Sequence, residues 1–220
     1  MRTLTPLEAR VLGVLVEKQH TVPDTYPLSL NSLVAGCNQK TARAPVIEAS
    51  DAEVLAAVDG LKGLSLVFEG SSSRVVKFEH NLARAQSVSP AAAAVLAVLM
   101  LRGPQTAAEL RLNGDRLHRF VDIAAVEACL DELAQRFPPR VVKLARAPGA
   151  RESRWAHLLC GEHALPASTA GDADGASDGH DVAAGELAAI KAEQTRLAAE
   201  VDGLRELVLR LSRELGVSTD

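Results

Sequence analysis

Residues 5–12, Thr-Pro-Leu-Glu-Ala-Arg-Val-Leu, and residues 89–96, Ser-Pro-Ala-Ala-Ala-Ala-Val-Leu, open the two halves of the chain in the same way. Each stretch begins with a hydroxyl residue that can cap a helix, followed by proline at the first helical position. Two further capped helical patterns come next in each half, and then apolar strands around a turn at residues 70–73 and 148–149. Because three helices closed by a hairpin are the order of a winged-helix module, the sequence predicts two such modules in tandem.

The predicted fold class is mostly α with small β-hairpins, an α+β arrangement of tandem winged-helix domains followed by a C-terminal coiled-coil helix. The predicted boundaries are 1–85 for the first winged-helix domain, 86–164 for the second, 165–181 for a flexible acidic linker and 182–220 for the coiled-coil helix. The helical period predicts that the inward side chains of the third helices are Leu55, Val58 and Leu61 in the first module and Ile123, Val126, Leu130 and Leu133 in the second.

Apolar residues recur at alternating intervals of three and four near the C-terminus, which is the pattern of a coiled coil. β-Branched residues at one core position and leucine at the other favour a parallel two-stranded coil, and one polar core residue can fix its register. We therefore expect a parallel homodimer, with a helix that folds back on its own modules as the alternative. The predicted dimerisation residues are Leu187, Ile190, Gln194, Leu197, Val201, Leu204, Val208, Leu211 and Leu215.

Composition bounds the class of protein. The 220 residues are 47% apolar but only 3% aromatic, so a stacking platform for single-stranded nucleic acid is not expected. The net charge of −4 is distributed unevenly, with +3 over residues 89–158 and −7 over residues 159–220. The longest uncharged apolar run, residues 91–101, is too short to cross a bilayer, and three cysteines do not make a disulfide framework. We expect a cytoplasmic protein with no membrane partner.

Basic residues concentrate in the hairpin of the second module. Residues 136–155 carry six of them against a single acid, Glu152. Arginine suits phosphate oxygens, so this pattern predicts contact with nucleic acid, although a charged hairpin in water is the alternative. A second polar set, Asn31, Asn38, Gln39 and Lys40, either caps and turns the backbone or donates hydrogen bonds to phosphate or to a partner loop. The candidate nucleic-acid-binding residues are Lys40, Arg111, Arg116, Arg119, Arg140, Lys143, Arg146, Arg151 and Arg154.

The third helix of each module argues against base-specific readout. Its outward face in the second module carries Glu127, Asp131 and Glu132, and in the first module Glu53 and Asp59. Carboxylates repel the phosphate backbone, and the arginine and asparagine side chains that distinguish bases are missing from these faces. Two hypotheses remain: contact with the backbone of double-stranded DNA with little base preference, or a protein-interaction scaffold that uses the modules as an adaptor without nucleic acid.

No motif for catalysis is present. The sequence has no glycine-rich phosphate loop, no Gly-x-Ser-x-Gly and no His-Glu-x-x-His, so we expect neither an enzyme nor a cofactor. His157, Cys160 and His163 have spacing that invites a metal, but a structural zinc site needs a fourth ligand and none is near. We therefore expect no metal.

Several separate motifs, in order over roughly residues 3–162, give the chain a family resemblance. They include Tyr-Pro-Leu-Ser-Leu-Asn-Ser-Leu at 26–33, Cys-Asn-Gln-Lys at 37–40, Arg-Gly-Pro-Gln-Thr at 102–106 and Ala-His-Leu-Leu at 156–159. With these motifs the chain resembles the YceH-like family of bacterial proteins. The resemblance implies a tandem winged-helix fold with a helical tail, and it implies no particular biochemical role.

Overall fold

The first half of the chain folds into helices that close on a small sheet. The structure is a computed structural model, and it describes residues 2–70, 75–146 and 149–161. In chain order, the elements of the first half are helix α1 (Pro6–Thr21), strand β1 (Leu28–Ser29), helices α2 (Leu30–Cys37) and α3 (Asp51–Gly63), strands β2 (Val67–Gly70) and β3 (Lys77–His80), and helix α4 (Leu82–Gln86), with a short 3-10 helix (Pro23–Thr25) after α1. The sheet is antiparallel with β3 in the middle, between β1 and β2.

The second half repeats this order with shorter strands. Its elements are helices α5 (Pro90–Arg102), α6 (Ala107–Gly114) and α7 (Ile123–Gln135) and the antiparallel strands β4 (Val141–Lys143) and β5 (Trp155–His157). Just before α6, Gln105 forms an isolated antiparallel bridge with Trp155. This bridge occupies the place that β1 has in the first half, where Leu28 lies opposite Phe78 just before α2.

Capping residues start most of these helices. The side chains of Thr5, Ser50 and Thr106 each accept a hydrogen bond from the backbone N–H three residues ahead. The carboxylate of the glutamate at that position in turn accepts one from the backbone N–H of the cap residue. Such a capping box satisfies two backbone donors that would otherwise be unpaired at the helix start. Ser89 caps α5 in the simpler way, through the backbone of Ala92. The helix starts predicted from the sequence are therefore confirmed.

Two apolar side chains face differently from the prediction. Leu55 and Ile123 are 40% and 44% exposed, although the helical period placed them inward. In α3 the buried stripe is Val54, Ala57, Val58 and Leu61, at the spacing of one helix face, and Leu55 lies just outside it. Ile123 is the first residue of α7, directly after its cap Asp122, where no preceding turn packs around it.

The two halves share one hydrophobic core. Every residue of α5 from Ala92 to Leu101 is buried, and this helix packs along α1. Backbone hydrogen bonds also join the halves, from Leu4 N to Leu159 O and from Ala44 N to Leu101 O, both at 2.8 Å. A helix that is apolar on all sides belongs in a core, so the run at 91–101 lies at the centre of the core that the described halves share.

The structure is thus a mixed α and β protein of helices and small antiparallel sheets over the described residues. The predicted linker, 165–181, and the predicted coiled-coil helix, 182–220, lie outside those residues, as do 71–74 and 147–148 in the two hairpin turns.

Candidate nucleic-acid interface

The hairpin of the second half is fastened to helix α6. Gln105 and Trp155 exchange two backbone hydrogen bonds, of 3.0 and 2.7 Å. Beside them, Arg154 donates from Nη1 to the carbonyl of Pro104 at 2.8 Å and from Nη2 to Glu109 Oε1 at 2.9 Å. Glu109 also closes the capping box of α6, so Arg154 lies in a network that fixes the base of the hairpin.

Three other basic residues of the hairpin point to its solvent side. The Lys143 ammonium lies 5.4 Å from the centroid of the Trp155 ring, a cation–π distance, and its side chain stays exposed. Arg146 and Arg151 are exposed, and neither forms an ion pair with any described residue. Within the hairpin, these two arginines are the members of the predicted set with no described ion pair, hydrogen bond or ring contact.

The connection between α6 and α7 supplies a second group of exposed arginines. Arg111 donates to the carbonyl of Val121 at 3.1 Å, and Arg119 lies 4.0 Å from Asp115 with 89% of its side chain exposed. Arg116 is exposed as well. An exposed pair at 4.0 Å in water contributes little, so all three guanidinium groups remain open to an anion.

Arg140 and Lys40 are less suited to the predicted interface. Arg140 is partly buried, and burial, together with the charge of Arg136, lowers its guanidinium pKa. Its Nε has no hydrogen-bond partner among the described residues. Lys40 is exposed but belongs to the first half, and no described contact links it to the arginines of the second half.

The polar turn that carries Lys40 has a structural role. Asn38 and Ala49 exchange two hydrogen bonds of 2.8 Å, and the side-chain oxygen of Gln39 accepts from Lys18 and Arg43. These bonds hold the segment between α2 and α3 in place. Of the two alternatives for this turn, backbone turning fits the contacts of Asn38 and Gln39.

The outward face of α7 is acidic in the structure. Glu127, Asp131 and Glu132 are all exposed, and Arg136 at the end of the helix lies 3.9 Å from Glu132. On α3, Glu53 and Asp59 are exposed. Phosphate would meet negative charge along both helices and positive charge at the hairpin and at the α6–α7 connection.

The sequence did not single out the buried arginines of the first half. Arg43 has a fully buried side chain and forms an ion pair with Glu17 at 2.6 Å. Arg10 is 3% exposed and donates to the carbonyls of Cys37 and Pro45. Arg10 had a detectable signal in the sequence, because it is the single charged residue within residues 9–16.

Neither a metal cluster nor a membrane helix is found among the described residues. No three side chains of histidine, cysteine, aspartate or glutamate in that part of the chain are grouped to hold a metal ion. His157 and Cys160 are described, whereas His163 lies outside. None of the helices within the described ranges is long and apolar enough to cross a bilayer.

Comparison with known proteins identifies relatives along the whole chain. The model of the family described as "Protein of unknown function, DUF480" matches residues 4–150. A UPF0502 protein of Burkholderia multivorans is 65% identical over 220 residues, covering 100% of this chain and 92% of that protein. A UPF0502 protein of Cupriavidus necator is 62% identical, covering 100% and 90%. The prediction of an uncharacterised bacterial family is confirmed, and the chain belongs to the DUF480 family, whose similar members carry the name UPF0502.

Proposed function

We propose that the protein is a homodimeric tandem winged-helix protein that binds double-stranded DNA through the basic hairpin of its second half, with little base preference. The order of elements supports the fold assignment, since each half runs helix, bridge, helix, helix and hairpin. The middle position of β3 between β1 and β2 agrees with a winged-helix sheet. The observation that carries the function is the pair of exposed guanidinium groups of Arg146 and Arg151, neither of which forms an ion pair within the described ranges.

The charges decide which contacts the DNA makes. Acidic side chains on α7 oppose insertion of that helix into a groove, whereas the hairpin and the α6–α7 connection present arginines. Arginine contacts to phosphate position a protein on DNA and carry no sequence information by themselves. Binding of this kind weakens steeply with salt, because each neutralised phosphate releases counterions.

The test is fluorescence anisotropy of a labelled mixed-sequence duplex over a range of salt concentrations. Replacing both Arg146 and Arg151 by Ala is expected to weaken binding on every sequence and to flatten the salt slope by about 1.8, from about 0.9 per phosphate contact. Arg154 is left unchanged, because its contacts with Glu109 and Pro104 support the fold.

The matched control is Arg84→Glu, which changes the net charge by the same two units at an exposed position on α4. It is expected to bind like the wild type. If the control and the double variant lose the same affinity for the duplex, only the overall charge matters. If the double variant binds the duplex as the wild type does, the assignment to the hairpin is wrong.

Dimerisation is proposed from the heptad at the C-terminus. Introducing aspartate at Leu197 and Leu204 would place charge at two core positions of a parallel coil. Multi-angle light scattering is expected to give the mass of a dimer for the wild type and of a monomer for this variant. A dimer that persists in the variant would remove the coil from the proposal.

A second candidate function, a protein-interaction scaffold, is favoured by exposed apolar side chains in the second half. Leu112, Val121 and Phe137 are 79%, 86% and 100% exposed, and large exposed apolar groups often mark interaction surfaces. If the protein is a scaffold, a pull-down is expected to recover the same partners after nuclease treatment. The same pull-down is expected to lose them when Glu127, Asp131 and Glu132 are replaced by Lys. Loss of every recovered partner on nuclease treatment would exclude the scaffold hypothesis.

A further inference from the structure

A groove of about 680 Å³ lies between the two halves of the molecule. Its walls come from α1, from the segment between α2 and α3, from the end of α5 and from the residues at the end of β5. Most of the lining is apolar, including Leu7, Ile47, Leu99 and Met100. The volume falls in the range of small-molecule sites, which are commonly apolar with a few polar groups that fix the ligand.

Two arginines of this groove have no carboxylate partner among the residues that the structure describes. Arg10 is 3% exposed and donates to two carbonyl oxygens, at 3.1 and 2.6 Å, but it has no carboxylate partner among the described residues. Arg102 also lines the groove, is partly buried and makes no described ion pair. Buried charges in proteins are ordinarily paired, so a cationic wall without an anion is unusual.

Two nitrogen atoms of the lining residues lack a hydrogen-bond partner. Nε of Arg10 and Nδ1 of His157 are both shielded from solvent and unpartnered among the described residues. An N–H of arginine requires an acceptor, and the imidazole nitrogen takes either role according to its tautomer. The groove therefore has apolar walls, and two of its lining residues carry a polar atom that no described group satisfies.

The acids of the groove leave these positions open. Glu48 and Glu53 line it but are exposed. Glu53 accepts from the backbone and hydroxyl of Ser50, as part of the capping box of α3. Neither carboxylate forms an ion pair with Arg10 or Arg102 in the described part of the chain.

We propose that the groove between the halves binds a small monocarboxylic acid with a hydrocarbon chain, its carboxylate at Arg10 and Arg102 and its chain against Leu7, Ile47 and Met100. A carboxylate supplies a negative charge, which neither arginine meets in any described ion pair, and further acceptor oxygens for charge-assisted hydrogen bonds. Apolar walls favour the hydrocarbon part of the ligand, because its burial removes apolar surface from water.

The test is isothermal titration calorimetry of the full chain with sodium octanoate as probe, with acetate and octan-1-ol as comparisons. Octanoate is expected to bind with one site per chain, acetate more weakly for lack of apolar surface, and octan-1-ol more weakly for lack of charge. The fluorescence of Trp155, the neighbour of the lining residue Ala156, provides a second readout.

The decisive variant is Arg102→Gln, which removes a charge at the groove without breaking any described ion pair. It is expected to lose octanoate affinity by at least about tenfold, and to bind octan-1-ol as the wild type does. The control Arg84→Gln removes an exposed arginine on α4 and is expected to keep wild-type affinity. Absence of octanoate binding to the wild type, equal binding of octan-1-ol, or unchanged affinity in Arg102→Gln would each overturn the proposal. The titration uses no DNA, so its result is separate from that of the anisotropy test.

Discussion

Helices α1 and α2 approach so closely at Gly36 that a methyl group has no room there. A Cβ built on Gly36 would lie 2.6 Å from Cγ1 of Val14, and Val14 is fully buried. A β-branched side chain is restricted at χ1, so it cannot turn away at low cost. Replacing Gly36 by Ala therefore tests whether this helix contact is as tight as the structure has it.

The expected magnitude follows from two opposing effects. Alanine in place of glycine favours the helix by about 1 kcal/mol. Overpacking of a buried contact costs about 1–3 kcal/mol. The net expectation for Gly36→Ala is a loss of up to about 2 kcal/mol in the free energy of unfolding, or up to roughly 8 °C in Tm for a domain of this size.

The control is Gly63→Ala in α3, where a Cβ meets nothing within 4 Å. This variant is expected to gain at most about 0.5 kcal/mol, because Gly63 is the last residue of α3 and the full propensity difference applies to the middle of a helix. Both variants are followed by thermal unfolding, with circular dichroism for all helices and fluorescence for Trp155, the single tryptophan. Because the halves share one core, the change in the first half is expected to shift the Trp155 transition in the second.

Two results would refute this reasoning. A Gly36→Ala protein as stable as Gly63→Ala would mean that α1 and α2 are not in close contact at this position. A lowered circular dichroism transition with an unmoved Trp155 transition would mean that the halves unfold separately.

Three further predictions concern buried ionisable groups. Burial lowers the pKa of His80 and of His157 to about 4 from an ordinary 6.5, so the unfolded chain binds protons first as pH falls. The stability that these two histidines contribute is present above pH 6.5 and is lost as the pH falls towards 4, by roughly 2 kcal/mol each at pH 5. Chemical denaturation at pH 7.5 and at pH 5 measures this difference in the free energy of unfolding. The variant His157→Gln is expected to remove about half of it. Glu17→Gln leaves the buried charge of Arg43 without its carboxylate and is expected to cost about 3 kcal/mol by urea denaturation, whereas no loss would contradict the ion pair. Burial raises the thiol pKa of Cys37 to about 12, so Cys37 is expected to react with a thiol reagent only after unfolding, as judged by mass spectrometry of the labelled chain.

The helices of this protein could be predicted from the sequence because their signals are local. Thr5, Ser50 and Thr106 each stand three residues before a glutamate, and a capping box involves no residue beyond that turn. Prediction failed where the signal was small. Strand β1 has two residues and α4 has five, too few to show a period, and Leu55 lies one position from the buried stripe of its helix.

The sequence predicted the candidate interface as a set of basic residues, and the tertiary structure showed which of them contact other parts of the chain. Arg154 and Arg146 are alike in sequence, but only Arg154 faces the carboxylate of Glu109, 45 residues away along the chain. Lys40 lies in the other half, and Arg140 is partly buried. Whether a charge is free for a ligand depends on which distant element packs against it, and a linear pattern does not encode that.

The sequence by itself determined the order of helices and hairpins in both halves, since caps, prolines and apolar periods act within a few residues. Only the tertiary structure decided that α1 and α5 pack together and that both halves share a core, because this contact joins helices whose nearest ends, Thr21 and Pro90, are 69 residues apart. Tertiary contacts also bury Arg10 beside the cavity at the junction of the halves, where it donates to the carbonyls of Cys37 and Pro45. Burial there withdraws water from the guanidinium group, and this turns an ordinary helix residue into a position where an anion can bind.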